Sequence, residues 1–177
     1  YSYIGPEITY PIYTNGTIGA AKKDLQVTAD RLHQELSSVN GRAFISVNKA
    51  LVTQSSSAIP VVPLYMSLLF KVMKANNTNE HCIEQMSRLF SQFVYSNESG
   101  VTDSERRFRL DDWEMDETVQ KEVEALWAQV TPETITDLAD LEAYQKDFYH
   151  LFGFGFDNID YEKETDPVVS IPSLEEA

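Results

Sequence analysis

Tyr13 and Lys22 stand near the start of the chain with eight residues between them. Gly16 and Gly19 lie in that interval and bracket a helix start. A helix beginning near Asn15 projects Lys22 from its first turns, and the loop before it can bring Tyr13 alongside. A phenol beside an ammonium has a definite chemical use. The cation favours the phenolate and lowers a tyrosine pKa from about 10 toward working pH. Such a tyrosine is a general acid toward an oxygen on which enolate charge develops. A plainer reading stands beside this one. Tyrosines near a strand end pack with a wet hydroxyl, and a lysine early in a helix is solvated.

The elements that must position this pair follow from hydrophobic periodicity. Residues 1–5 read as a short strand. A helix is expected over 16–37, with Ile18, Leu25, Ala29, Leu32 and Leu36 on one buried face and Asn40-Gly41 stopping it. Residues 42–48 form the clearest strand, β-branched and short. A strand, a long helix and a second strand make a βαβ unit and hence a parallel sheet. Ligands in such sheets bind beyond the carboxyl ends of the strands. One rim therefore gathers Tyr3, Tyr13 and the segment 49–53, with Thr53 near Tyr13.

Farther along, residues 59–73 are apolar nearly all round and predict a buried helix. Its Met and Phe content suits plain core or the wall of an acyl site equally. A helix over 80–95 should bury Ile83, Met86, Leu89, Phe90 and Phe93, followed by a polar loop over 96–106. Residues 107–114 read as a brief strand before a helix over 116–130, with Val119, Val123, Leu126, Trp127 and Val130 on one face. A last helix over 138–151 turns Leu141, Tyr144 and Phe148 inward. The tail from Tyr161 is acidic and expected to be extended.

Composition narrows the function classes. The 177 residues carry a net charge of −14, which argues against a nucleic-acid or anionic-membrane partner. A single cysteine, Cys82, allows no intramolecular disulfide; it reads as packing, in a reducing, cytoplasmic compartment. No segment has the length and apolarity of a membrane span, and no signal-peptide pattern opens the chain. His81 and Cys82 are adjacent and cannot share a helix face as metal ligands. Asp111, Asp112, Glu114, Asp116 and Glu117 read as an acidic helix start that complements the dipole, not as a metal cluster. No Gly-x-Gly-x-x-Gly occurs. The first residue is not Met and already looks like a strand end, so the chain is expected to lack an amino-terminal half.

Three blocks resemble a known family. Tyr-Ser-Tyr-Ile-Gly-Pro-x-x-Thr with Pro-Ile-Tyr-x-x-Gly-Thr-Ile-Gly-x-Ala-Lys covers Tyr1 to Lys22. Asn-Lys-x-Leu-Val-Thr with Ile-Pro-Val-x-Pro-Leu-Tyr covers Asn48 to Tyr65. Arg-Phe-Arg-Leu-Asp-Asp-Trp-Glu covers Arg107 to Glu114. The sequence resembles the monomeric NADH-dependent enoyl reductases, the V-type enoyl-acyl-carrier-protein reductases and trans-2-enoyl-CoA reductases. Their signature is a Tyr-x8-Lys pair, which Tyr13 and Lys22 match. The Tyr-x3-Lys of ketoreductase-like dehydrogenases is not met, because Thr stands at position 17.

The resemblance implies an α/β fold: the carboxy-terminal part of a Rossmann-type, short-chain-dehydrogenase-like domain, helix-rich with few parallel strands. Residues 1–58 would be its catalytic βαβ part and 59–177 its helical substrate side, the cofactor-binding half lying outside the chain. It implies reduction of the trans-2 double bond of an enoyl thioester by NADH, in fatty acid synthesis. Tyr13 would be the proton donor, and Lys22 would hold the nicotinamide ribose. Tyr3 would contact the acyl thioester, and Leu51, Val52 and Thr53 would border the nicotinamide. Partners would be an acyl carrier protein or coenzyme A thioester, with the full-length enzyme a monomer. This chain alone is expected to be inactive, and it is expected to self-associate through an unpaired or newly paired edge of the 42–48 strand. The alternative is a non-catalytic helical acyl-binding module whose pocket is the apolar helix over 59–73.

Overall fold

The structure is a computed structural model that describes residues 1–96 and 101–171. Parts of the expected 96–106 loop and of the acidic tail, residues 97–100 and 172–177, lie outside the described residues.

In chain order the elements that build and surround the site are α1 (Thr17–Leu36), β1 (Ile45–Val47), α2 (Gln54–Ser57), α3 (Val62–Ala75), α4 (Cys82–Arg88), β2 (Arg107–Arg109), α5 (Glu117–Trp127), α6 (Ile135–Leu138) and α7 (Leu141–His150). The core is built around α3. Pro63 sits in its first turn, where a fixed φ favours the helix and no N–H is needed. Tyr65, Met66, Leu68, Leu69, Phe70, Val72 and Met73 are all buried, as an apolar surface on every side requires. Val119 and Val123 of α5 complete this core, with Leu126, Trp127, Val130 and Tyr144 packed against it. Composition leaves α3 open as core or acyl wall, and the packing makes it mainly core. That removes the basis for a helical acyl-binding module centred on it.

The sheet is small. β1 pairs in parallel with β2, Ile45 opposite Arg107 and Val47 opposite Arg109. On the other edge of β1, residue 2 makes a single parallel bridge to Val47. Its N–H donates to Ser46 O at 2.7 Å, and its carbonyl accepts from Asn48 N at 2.9 Å. The molecule is thus a helix-rich α/β structure with two parallel strands among the described residues. The expected strand over 1–5 is reduced to this bridge, and the 42–48 strand to three residues. β2 takes one edge of β1 and Ser2 the other, so of the two expected edge states the unpaired one is not found.

Several expected faces are corrected. α1 has the expected bounds within a residue, but Leu32 and Leu36 are exposed, the chain over 41–44 packing instead on His33. A short turn, Ser37–Val39, follows the helix and ends with Asn40, not Gly41, in the left-handed conformation; the Gly41 N–H then closes onto Leu36 O at 2.9 Å. The helix over 80–95 changes character midway, α4 passing into a π-helical segment, Leu89–Val94. The wider turn rotates the face away from ideal spacing, so Phe90 is exposed while Leu89 is buried with Phe108 and Leu110; Ile83, in the first turn of α4, is exposed too. Leu141 and Cys82 are exposed as well. No helix among the described residues is long and apolar enough to cross a membrane, and no His, Cys, Asp or Glu group among them could hold a metal.

Candidate active site

Tyr13 reaches the site through a loop pressed onto the start of α1. The Thr9 hydroxyl donates to Pro6 O at 2.8 Å and holds a short turn over Glu7–Thr9. Tyr13 N then donates to Thr9 O at 2.9 Å, and Tyr13 O accepts from Gly19 N at 3.1 Å. A Cβ on Gly19 would stand 1.8 Å from Thr14 O, so only glycine lets the loop lie this close to the helix. The same packing leaves Tyr13 only 8% exposed.

Lys22 is half-buried, one turn beyond Gly19. Its ammonium has no hydrogen-bond or ion-pair partner among the described residues. Tyr13 and Lys22 line one cavity of about 290 Å³ together with Tyr3, Leu51 and Thr53. Val62 and Met66 give it an apolar wall. Val52 does not reach it; with Leu51 and Thr53 it borders a second cavity of about 640 Å³ on the α4–α7 side. The Thr53 side chain is also committed locally. Its oxygen accepts from Ser56 N at 3.0 Å, and Ser56 Oγ accepts from Thr53 N at 2.9 Å, the reciprocal cap of α2. The structure therefore brings Tyr3, Tyr13, Lys22, Leu51 and Thr53 to one place and leaves Val52 beside it.

The electrostatics differ from the sequence reading in one respect. Burial pushes the Tyr13 phenol above its usual pKa, whereas spacing to Lys22 suggests a lowered value. Desolvation disfavours the phenolate, and no cation touches the hydroxyl. Tyr3 is driven well above the usual range, first by burial and then by the charge of Glu114. Both phenols are therefore protonated at neutral pH and available only as acids or hydrogen-bond groups.

Two residues have roles that sequence reasoning misses, although Lys49 falls in the 49–53 segment expected at the rim. Glu114 reads in the sequence as part of an acidic helix start, yet it is fully buried. It accepts from Tyr3 Oη at 2.8 Å, Tyr65 Oη at 2.8 Å and Ala50 N at 2.7 Å. Lys49 is 2% exposed, lies over the Phe70 ring at 4.4 Å and donates to Ala50 O at 2.9 Å. Burial lowers its pKa to about 8 against the opposing pull of Glu114. The helix-start role belongs only to Asp116, which caps α5 by accepting from Thr118 N and Val119 N, and to Glu117 in the first turn. A partner 111 residues away leaves no local signal at Glu114.

Comparison with known proteins supplies an independent line. Residues 1–95 match the family described as the trans-2-enoyl-CoA reductase catalytic region. Residues 102–165 match a second described as the enoyl reductase FAD binding domain. The chain is 51% identical over 174 residues to an enoyl-[acyl-carrier-protein] reductase [NADH] of Flavobacterium psychrophilum, covering 98% of this chain and 44% of the relative. It is 54% identical over 166 residues to a trans-2-enoyl-CoA reductase [NADH] of Clostridium perfringens, covering 94% and 42%. The crystal structure of Clostridium acetobutulicum trans-2-enoyl-CoA reductase in complex with NADH superposes with a TM-score of 0.90 at 50% identity, covering 94% of this chain and 42% of that one. The chain spans less than half the length of these relatives.

Proposed function

Because this chain belongs to the trans-2-enoyl-CoA reductase family, we propose that it carries the proton-donor part of an NADH-dependent enoyl thioester reductase. The observation that carries the reading is the convergence of Tyr13, Lys22 and Tyr3 on one cavity with an apolar wall. In this proposal the two strands belong to a Rossmann-type sheet, residues 1–58 being its catalytic βαβ part and 59–177 its helical substrate side. The enzyme acts in the cytoplasm, in fatty acid synthesis.

The cavity suits one end of the dinucleotide. Ligand pockets run from about 300 to 1,000 Å³, and 290 Å³ holds a nicotinamide riboside end better than all of NADH. The free Lys22 ammonium fits the ribose hydroxyls, and the wall of Leu51, Val62 and Met66 fits the apolar ring face. A pyrophosphate needs clustered backbone N–H groups at a glycine-rich helix start; Gly16 and Gly19 at the start of α1 are a weak substitute, and they lie beside the Tyr13–Lys22 end of the site. NADH, when bound, supplies the hydride that adds to the β-carbon of the enoyl thioester.

The chain's own residues govern the oxygen. As the β-carbon is reduced, charge develops on the thioester oxygen, and Tyr13 donates its proton or hydrogen bond there. The raised pKa keeps that proton in place at neutral pH. Lys22 adds a fixed positive charge that favours the developing enolate. Tyr3 already donates its hydroxyl hydrogen to Glu114, so it forms a wall for the thioester, not a second acid. Leu51 and Thr53 border the nicotinamide, with Val52 behind them. The substrate partner is an acyl carrier protein or coenzyme A thioester.

The residues do not fit a flavin. Within 102–165 the only glycines are Gly153 and Gly155, both exposed. The starts of α5 and α7 are capped by Asp116 and Asp140, whose carboxylates already hold N–H groups that a pyrophosphate would need.

Full-length protein assayed with NADH and either crotonyl-CoA or a crotonyl carrier protein is expected to oxidise NADH with one or both. No oxidation with either overturns the reading.

A further inference from the structure

Glu114 comes from the segment between β2 and α5, far along the chain from Tyr13, yet its carboxylate lies directly behind the catalytic cavity. Oε1 accepts from both Tyr3 and Tyr65, each at 2.8 Å, and Oε2 accepts from Ala50 N at 2.7 Å. Gln120 Nε2 donates to Tyr65 Oη at 3.2 Å and to the carbonyl of Glu114 itself at 2.6 Å. One buried group thus ties together the opening segment, the chain leaving β1 and helix α3. The Tyr3 ring that it anchors meets Tyr13 edge to face, with centroids 5.2 Å apart. The backbone that it anchors leads through Ala50 into Leu51 and Thr53 on the cavity rim.

We infer that Glu114 is a positioning residue of the reaction, fixing the Tyr3 ring and the Ala50 backbone and through them the Tyr13 hydroxyl and the cavity rim. The inference rests on the reading of Tyr13 as the donor. A carboxylate suits the place better than an amide. It can accept three N–H and O–H donors at once, whereas a glutamine presents an N–H₂ group to one of them. An unpaired buried donor would be the result, with the local backbone displaced to relieve it. A shift of about 1 Å at a reacting group costs on the order of 100-fold in rate.

The experiment compares full-length wild type, Glu114→Gln, Tyr3→Phe and the double variant. The readouts are turnover at saturating substrate, apparent NADH KM, and the ¹⁹F resonance of 3-fluorotyrosine placed at position 13. Glu114→Gln is expected to lower turnover about 10- to 100-fold with NADH KM within about twofold. The fluorine signal should move in each single variant, and the double variant should be no slower than the slower single by more than about threefold, as for two groups acting in one unit. An unmoved fluorine signal overturns the proposal, as does full multiplication of the two rate losses. If Glu114→Gln does not fold, Tyr3→Phe carries the fluorine test alone. The fluorine signal is read without turnover, so an unmoved signal refutes the positioning role even where the enoyl assay succeeds, and its failure is distinct from failure of the functional reading.

Discussion

Tyr3 and Tyr13 meet edge to face, their ring planes at 86°. The hydroxyl of Tyr3 points away from the cavity's chemistry and donates to Glu114. Two tyrosines ten residues apart in sequence therefore take opposite tasks: one holds, and the other is held with its acid group free.

Gly19 should tolerate no side chain. Alanine gains about 1 kcal/mol of helix propensity over glycine, but its Cβ would overlap Thr14 O. Overlap with backbone wins. Gly19→Ala is expected to lose at least about 2 kcal/mol of stability by denaturant titration. A neutral or stabilised variant would show that the loop does not lie on α1 as described.

Lys22 should matter to binding and to chemistry together. Lys22→Met removes the free ammonium at the cavity, so apparent NADH KM should rise while turnover falls. Steady-state kinetics of full-length protein separate the two. A variant altered only in melting temperature would make the residue structural.

Lys49 predicts a pH dependence of stability. Its pKa is lowered from 10.5 to about 8 in the folded chain by burial. Between those values the unfolded chain holds a proton that the folded chain gives up, so stability rises with pH through that window. Below about pH 8 both states are protonated, and the cost of burying the ammonium is felt in full. From about pH 7.5 to about pH 9.5 this residue should contribute a gain of about 2 kcal/mol, and Lys49→Met should remove it. Equal slopes for wild type and variant would contradict the burial argument.

The isolated 177 residues should bind NADH weakly. They hold the cavity for one end of the dinucleotide and no Gly-x-Gly-x-x-Gly turn for its pyrophosphate. Titration of NADH fluorescence should show no saturation below about 100 μM, roughly −5.5 kcal/mol. Tighter saturable binding would mean that these residues suffice for the cofactor.

Local patterns reveal local structure. The Gly16–Gly19 start of α1, the all-round apolar α3 and the face of α5 are each readable, because propensity and packing agree there. The rim bearing Tyr13 and Thr53 is also readable, since strand–helix–strand order dictates where loops converge. What cannot be read is whatever depends on a distant partner. Nothing around Glu114 announces Tyr3 or Tyr65, and nothing around β1 announces β2 as its second neighbour, although the strand–helix–strand order does foretell the parallel pairing with Ser2. Likewise, the apolar stripe of α1 predicts burial of Leu32 and Leu36, which the fold leaves exposed. The raised Tyr13 pKa belongs to the same class. Spacing to Lys22 suggests a cation, while burial by surrounding chain decides the sign.

The most direct test of Tyr13 as the proton donor is Tyr13→Phe in full-length protein, which deletes one hydroxyl and keeps the ring against Tyr3. NADH reduction of a crotonyl thioester is followed in single turnover, with NADH affinity measured separately by fluorescence. The predicted rate is lower by about two to four orders of magnitude, with NADH affinity essentially unchanged. A variant that keeps more than about a third of the wild-type rate, well short of the loss of a general acid, would contradict the assignment.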